Sequence, residues 1–176
     1  RVDWQASPEG GRDPTIWSRP SGARAAAARE RRQSGVDAVA YLFDTDALSE
    51  PLRRYPVKSY ISWLEAVPRA DQFASAVTIG ELYKGAFRVA DAARHLRNIE
   101  TRVLSAVTVL PYDVAVARVY GEIEATLAGR GQRLADADLQ IAATAIYHGL
   151  ELVTGNVRHF ARVPRLRVHP AFTDRR

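Results

Sequence analysis

From residue 39 onward, two kinds of apolar pattern alternate along the chain. Short continuous runs occur at VAYLF (39–43), QFASAVT (72–78), AVTVLP (106–111) and LELVT (150–154), with a shorter one in RLRVHP (165–170). Runs of this length bounded by polar residues predict buried strands. Between them, apolar positions recur at intervals of three and four. SYISWLEAV carries Tyr60, Ile61, Trp63, Leu64 and Val67 on one helical face and stops at Pro68. TIGELYKGAF places Ile79, Leu82, Tyr83 and Phe87 at helical spacing, and a helix from about Asp91 to Ser105 follows with Leu96, Ile99, Val103 and Leu104 as its stripe. Asp113 is the predicted N-cap of DVAVARVYGEIEATLAGRG, closed by Gly129 or Gly131. ADLQIAATAIYHG is apolar and small on most sides, as a buried helix requires. Strands alternating with helices predict an α/β fold: a three-layer α/β/α domain with a central, mostly parallel sheet. No internal repeat is present.

Residues 1–38 have a different texture, rich in Pro, Gly, Ser, Ala and mixed charge with few large apolar side chains. Such a segment buries too little surface to offset its ordering entropy. It is expected to be a disordered extension, read as upstream sequence translated ahead of a natural start, with one domain over 39–176. The chain has 176 residues, enough for one core, and no Cys, which excludes disulfides, thiolate metal sites and Cys nucleophiles. No apolar stretch is long enough to span a bilayer and no signal-peptide pattern opens the chain, so a soluble, cytoplasmic protein without membrane contact is expected. The formal net charge is +5, carried almost wholly by Arg, with Lys58 and Lys84 the only lysines. Arg suits bidentate phosphate contacts, although a GC-rich genome produces the same bias.

Acidic residues gather where strands give way to helices. Asp44 and Asp46 follow the first strand, Glu81 the second, Asp113 the third and Asn156 the fourth, while Asp136 and Asp138 open the buried helix. In open parallel sheets, ligands bind beyond the carboxyl ends of the strands. Oxygen ligands there suit a hard divalent cation, and two such ions about 4 Å apart can promote phosphodiester hydrolysis. Any one of these acids also reads as a helix cap. Glu81, inside an apolar helical turn, does not fit a cap, and Asp138 abuts a helix with little polar surface.

YLFDTDALSE, VTIGEL, ADADLQIAATA and LVTGNVRHFARVPRLRV occur in the order and spacing of PIN-domain nucleases, and the chain resembles most the VapC-type toxins of bacterial toxin–antitoxin pairs, over about residues 39–170. The resemblance implies a PIN-like fold and a metal-dependent endoribonuclease, using Mg²⁺ or Mn²⁺ to hydrolyse RNA phosphodiesters. It also implies a homodimer inhibited by a cognate antitoxin whose C-terminal segment occupies the groove. Carried over by motif, the metal-holding and catalytic acids are Asp44, Glu81 and Asp138. The fourth position is Asn156, an amide without charge, implied to hold a water or orient substrate, with Thr154 joining the same network. Asp46 is assigned a helix-capping, hydrogen-bonding role outside the ligand set, and Asp136 is expected to be loop-exposed.

Two other readings compete. The D-x-D of DTDALS resembles aspartyl-phosphate phosphohydrolases, but lacks their following Gly, and the later lysine and paired-acid pattern is missing. A catalytically weak or non-toxin domain that only binds RNA or a partner is the other. His95, His148, His159 and His169 show no zinc spacing and are expected at the surface or behind the site. Arg158, Arg162, Arg165 and Arg167 are candidates for phosphate contact or for plain solvated surface.

Overall fold

The computed structural model describes residues 39–170, so the expectations for residues 1–38 and 171–176 lie outside it. Five strands among the described residues form one sheet: β1 (Tyr41–Phe43), β2 (Gln72–Ser75), β3 (Thr108–Leu110), β4 (Glu151–Val153) and β5 (Arg167–His169). Their order is β3-β2-β1-β4-β5, and all four pairings are parallel. Leu42 lies beside Phe73 on one side and Leu152 on the other, which fixes the register at the centre.

Successive strand residues point to opposite faces, and here both directions are buried. Leu42, Phe73, Leu110 and Leu152 enter a core with α5 (Val114–Gly129) and α6 (Asp136–His148). Phe43, Ala74 and Val153 enter a second core with α1 (Thr45–Ser49), α2 (Lys58–Ala66), α3 (Ala76–Ala86) and α4 (Ala92–Asn98). Helices thus cover both faces, the three-layer arrangement expected of strands that read as continuous apolar runs. A one-turn helix, α7 (Val157–Phe160), follows β4 and drives Phe160 into the first core. Among the described residues, no helix is long and apolar enough to cross a membrane.

The local chemistry sets most boundaries. Gly149 adopts φ 64°, and the Leu150 N–H reaches back to the Ala145 carbonyl, so α6 ends in a left-handed turn that leads straight into β4. Asp113 caps α5 by accepting from the Val116 N–H at 3.0 Å, as predicted. Two stretches differ from the pattern. The second strand stops at Ser75, three residues early, because the Ser75 hydroxyl accepts from the Thr78 N–H at 2.9 Å and starts α3 there. The helix expected over 91–105 is α-helical only to Asn98; Ile99–Val103 is a π-helical turn in which the Leu104 N–H bonds Ile99. Thr101 and Ser105 turn their hydroxyls onto carbonyls four residues back in this stretch, competing with the regular ladder.

Leu152 is fully buried in β4, next to the central strand. Leu152→Ala is expected to lower unfolding free energy by about 3 kcal/mol, read from the midpoint of urea denaturation; a midpoint equal to wild type would contradict its place at the core.

Candidate active site

The strand order reverses direction at β1, which has β2 on one side and β4 on the other. A crevice forms beyond the carboxyl ends of the strands at such a point. Asp44 is the first residue after β1 and is 8% exposed. Its position is set by backbone and side chain together: the N–H continues the sheet to the Val153 carbonyl at 3.0 Å, while Oδ1 accepts from the Thr45 N–H at 2.7 Å as the N-cap of α1. Oδ2 accepts from the Thr154 hydroxyl at 2.9 Å, and that hydroxyl oxygen accepts in turn from the Asn156 N–H at 3.1 Å.

Glu81 projects from the second turn of α3, where Oε2 accepts from the Thr45 hydroxyl at 3.2 Å. Thr45 therefore links Asp44 through its amide to Glu81 through its side chain. Lys84 stands 3.8 Å from the other Glu81 oxygen, an exposed and weak pairing. Asp138, in the first turn of α6, contacts His159 Nε2 through Oδ2 at 2.7 Å. Asn156 sits exposed at the start of α7, and its side chain caps no backbone group.

The neighbours of this set are placed differently from expectation. Asp46 does not cap its own helix, because Asp44 occupies that role; its Oδ2 accepts from the Gly155 N–H at 2.8 Å, tying the loop after β4 to α1. The other Asp46 oxygen is buried without a hydrogen-bond partner. Asp136 is exposed, as expected, but begins α6 and accepts from the Tyr120 hydroxyl at 3.1 Å. Thr154 bonds Asp44 directly. Of the C-terminal arginines, Arg165 reaches Glu122, Arg167 reaches the Gly149 carbonyl and Arg162 reaches His159. No pattern in the sequence announces the Asp138–His159 contact, since it joins two helices across 21 residues.

Burial is the main reason that the Asp44 carboxyl is pushed up to about 6; the charges of Asp46 and Asp138 add to it, against hydrogen bonds from Thr45 and Thr154. Acids from separate elements thus repel one another in a partly dry crevice. Residues 41–166 match the family described as PIN domain. The chain belongs to the PIN-domain family. Toxin FitB of Neisseria gonorrhoeae is 34% identical over 125 residues, covering 68% of this chain and 89% of that protein. Ribonuclease VapC2 of Haemophilus influenzae is 36% identical over 132 residues, covering 72% and 94%. The crystal structure of FitAcB from Neisseria gonorrhoeae superposes with a TM-score of 0.68 at 30% identity, covering 74% of this chain and 97% of that one.

The donor chemistry of this PIN domain fits a hard divalent cation. Its oxygens come from carboxylates, Asp44 is buried beside the charges of Asp46 and Asp138, and one buried Asp46 oxygen has no hydrogen-bond partner. Among the described residues, no three Asp, Glu or His side chains close into a single ligand group. A small ion that keeps several waters and binds one or two carboxylates directly does not require such closure.

Because burial raises Asp44 above its unfolded value of 3.8, the native state holds that proton more tightly than the unfolded chain does. The group's unfavourable contribution is therefore absent at low pH and grows as pH rises through about 6. In chelator, Asp44→Asn is expected to be more stable than wild type at pH 7.5 by on the order of 2 kcal/mol, the gap about halved at pH 5 and closed below the unfolded value of 3.8. Thermal melts across that range check this; a variant less stable than wild type at pH 7.5 contradicts the burial account.

Proposed function

We propose that this chain is a divalent-metal-dependent endoribonuclease and the toxin of a type II toxin–antitoxin pair, acting in the cytoplasm. The observation that carries the reading is the buried Asp44 carboxyl at the switch point of a parallel sheet, raised to about 6 by burial and by the charges of Asp46 and Asp138, and joined to Glu81 through Thr45. Kinship with proteins named as ribonucleases and toxins supports the substrate class and the role.

Asp44, Glu81 and Asp138, directly or through bound waters, would hold Mg²⁺ or Mn²⁺, which would supply Lewis-acid and water-activating chemistry to an RNA phosphodiester. The chain's own residues do the rest. Thr154 and the Thr45 amide hold the two Asp44 oxygens, and the Thr45 hydroxyl holds Glu81, so the carboxylates keep their aim before substrate arrives. Asn156, exposed at the rim, has both a donor and an acceptor to orient a phosphate or a water. The Arg excess draws the RNA backbone in, and Arg158 stands exposed two residues from Asn156.

The inhibitory partner in this reading is an antitoxin whose C-terminal segment covers the acidic groove, with an Arg reaching the carboxylates, and the toxin itself pairs as a homodimer. A cavity of about 440 Å³, lined by Leu48, Leu52, Tyr60, Ile61, Leu64 and Val103 with Glu65, Arg69 and Arg102 also on its walls and none of the site acids among them, offers a recess for the apolar side of an amphipathic segment.

Asp44→Asn and Asp138→Asn are each expected to lower Mg²⁺- or Mn²⁺-dependent RNA cleavage by at least about a hundredfold and to relieve growth inhibition on expression. Cleavage of labelled RNA by the purified chain, with and without chelator, measures the first. Sequencing RNA 5′ ends after brief expression identifies the target. Wild-type rates in either variant, or cleavage that survives chelator, would remove the metal from the mechanism.

A further inference from the structure

Asp138 is met by a two-residue relay from the segment after β4, His159 and then Arg162. Arg162 makes two contacts with His159: Nη2 lies 2.9 Å from Nδ1, and Nε donates to the His159 carbonyl at 3.3 Å. A guanidinium has donors only. Nδ1 must then be the acceptor, which places the imidazole proton on Nε2, the nitrogen 2.7 Å from Asp138 Oδ2. The direction of the chain is thereby determined: Arg162 donates to His159, and His159 donates to Asp138. The ring has little freedom to leave this line. Its neighbour Phe160 is 1% exposed in the core and meets the imidazole edge-on at 5.5 Å between centroids.

We propose that His159, oriented by Arg162, is a positioning residue for Asp138: it occupies Oδ2 and leaves Oδ1 free as the oxygen offered to the cation. This rests on the reading of Asp138 as a metal-holding acid. Asp44 and Glu81 take their orienting hydrogen bonds from threonines and a backbone amide, whereas Asp138 stands at the start of α6 and takes its own from an imidazole on α7. A partner behind a ligating carboxylate fixes which oxygen faces the ion, and its loss weakens metal binding. The relay also couples the two segments that carry Asp138 and Asn156, because His159 lies on the one-turn helix that Asn156 begins.

The test is Mn²⁺ affinity of the full chain, read by titration calorimetry or by the EPR signal of free Mn²⁺, with thermal melts in chelator as the check on folding. His159→Ala is expected to weaken Mn²⁺ about tenfold with the melting temperature little changed. His159→Gln, whose amide N–H can donate to Asp138, is expected to stay within about threefold of wild type. Arg162→Ala, at an exposed site, should lie between them and serves if His159→Ala melts early. Wild-type affinity in both His159→Ala and Arg162→Ala overturns the positioning role, as does an equal loss in His159→Ala and His159→Gln. A wild-type chain that binds no Mn²⁺ overturns the metal reading itself and this proposal with it, so the two failures are separate results.

Discussion

The carboxyl of Asp44 is buried at the end of the central strand, and the surrounding structure exists around that constraint. Its backbone belongs to the sheet, its Oδ1 begins α1, and its Oδ2 is held from the loop after β4. A charge in such a place is unfavourable unless something compensates it. The proton that it retains up to about pH 6 is one compensation, and a divalent cation in the proposed mechanism is the other. The carboxyl lies where β1 stands between β2 and β4, and the charge of Asp138, from α6, acts on it there.

The partners chosen for these acids share a chemical character. Thr45, Thr154, the Gly155 amide and the His159 ring donate hydrogen bonds that fix orientation without cancelling charge. Lys84 near Glu81 is the cationic partner, and it is distant and exposed. Arg162 is kept one residue removed, acting on His159 instead of on Asp138. The carboxylates of the crevice are therefore oriented without a close cationic side chain, which suits the cation of the proposed mechanism.

Some of this site could be read without coordinates, and some could not. The apolar run ending in acid marks Asp44 and Asp46 together, and only the family resemblance separates them; Glu81 stands out by its conflict with the apolar turn around it. Of the capping and hydrogen-bonding role that the resemblance implies for Asp46, the hydrogen bonding is present, to the Gly155 N–H, while capping falls to Asp44 because of the way the chain leaves β1. Local spacing is the same in either arrangement, and only the exit angle of the strand distinguishes them. The π turn at Ile99–Val103 was hidden similarly, because apolar spacing along the stripe is compatible with a continuous helix.

Taken alone, the sequence determined the five strands and the longer helices in outline, the layered α/β class, and the acidic character of the strand ends. Those properties are local, arising from side-chain periodicity, capping and the backbone limits of Pro and Gly. Only the tertiary structure decided that β1 lies between β2 and β4, that Thr45 meets Glu81 across 36 residues, that Thr154 meets Asp44 across 110, and that His159 reaches Asp138. Parallel strands make the same backbone hydrogen bonds with any neighbour, so strand order follows from how the two apolar cores pack. That packing brings together donors and acids that have no common local pattern.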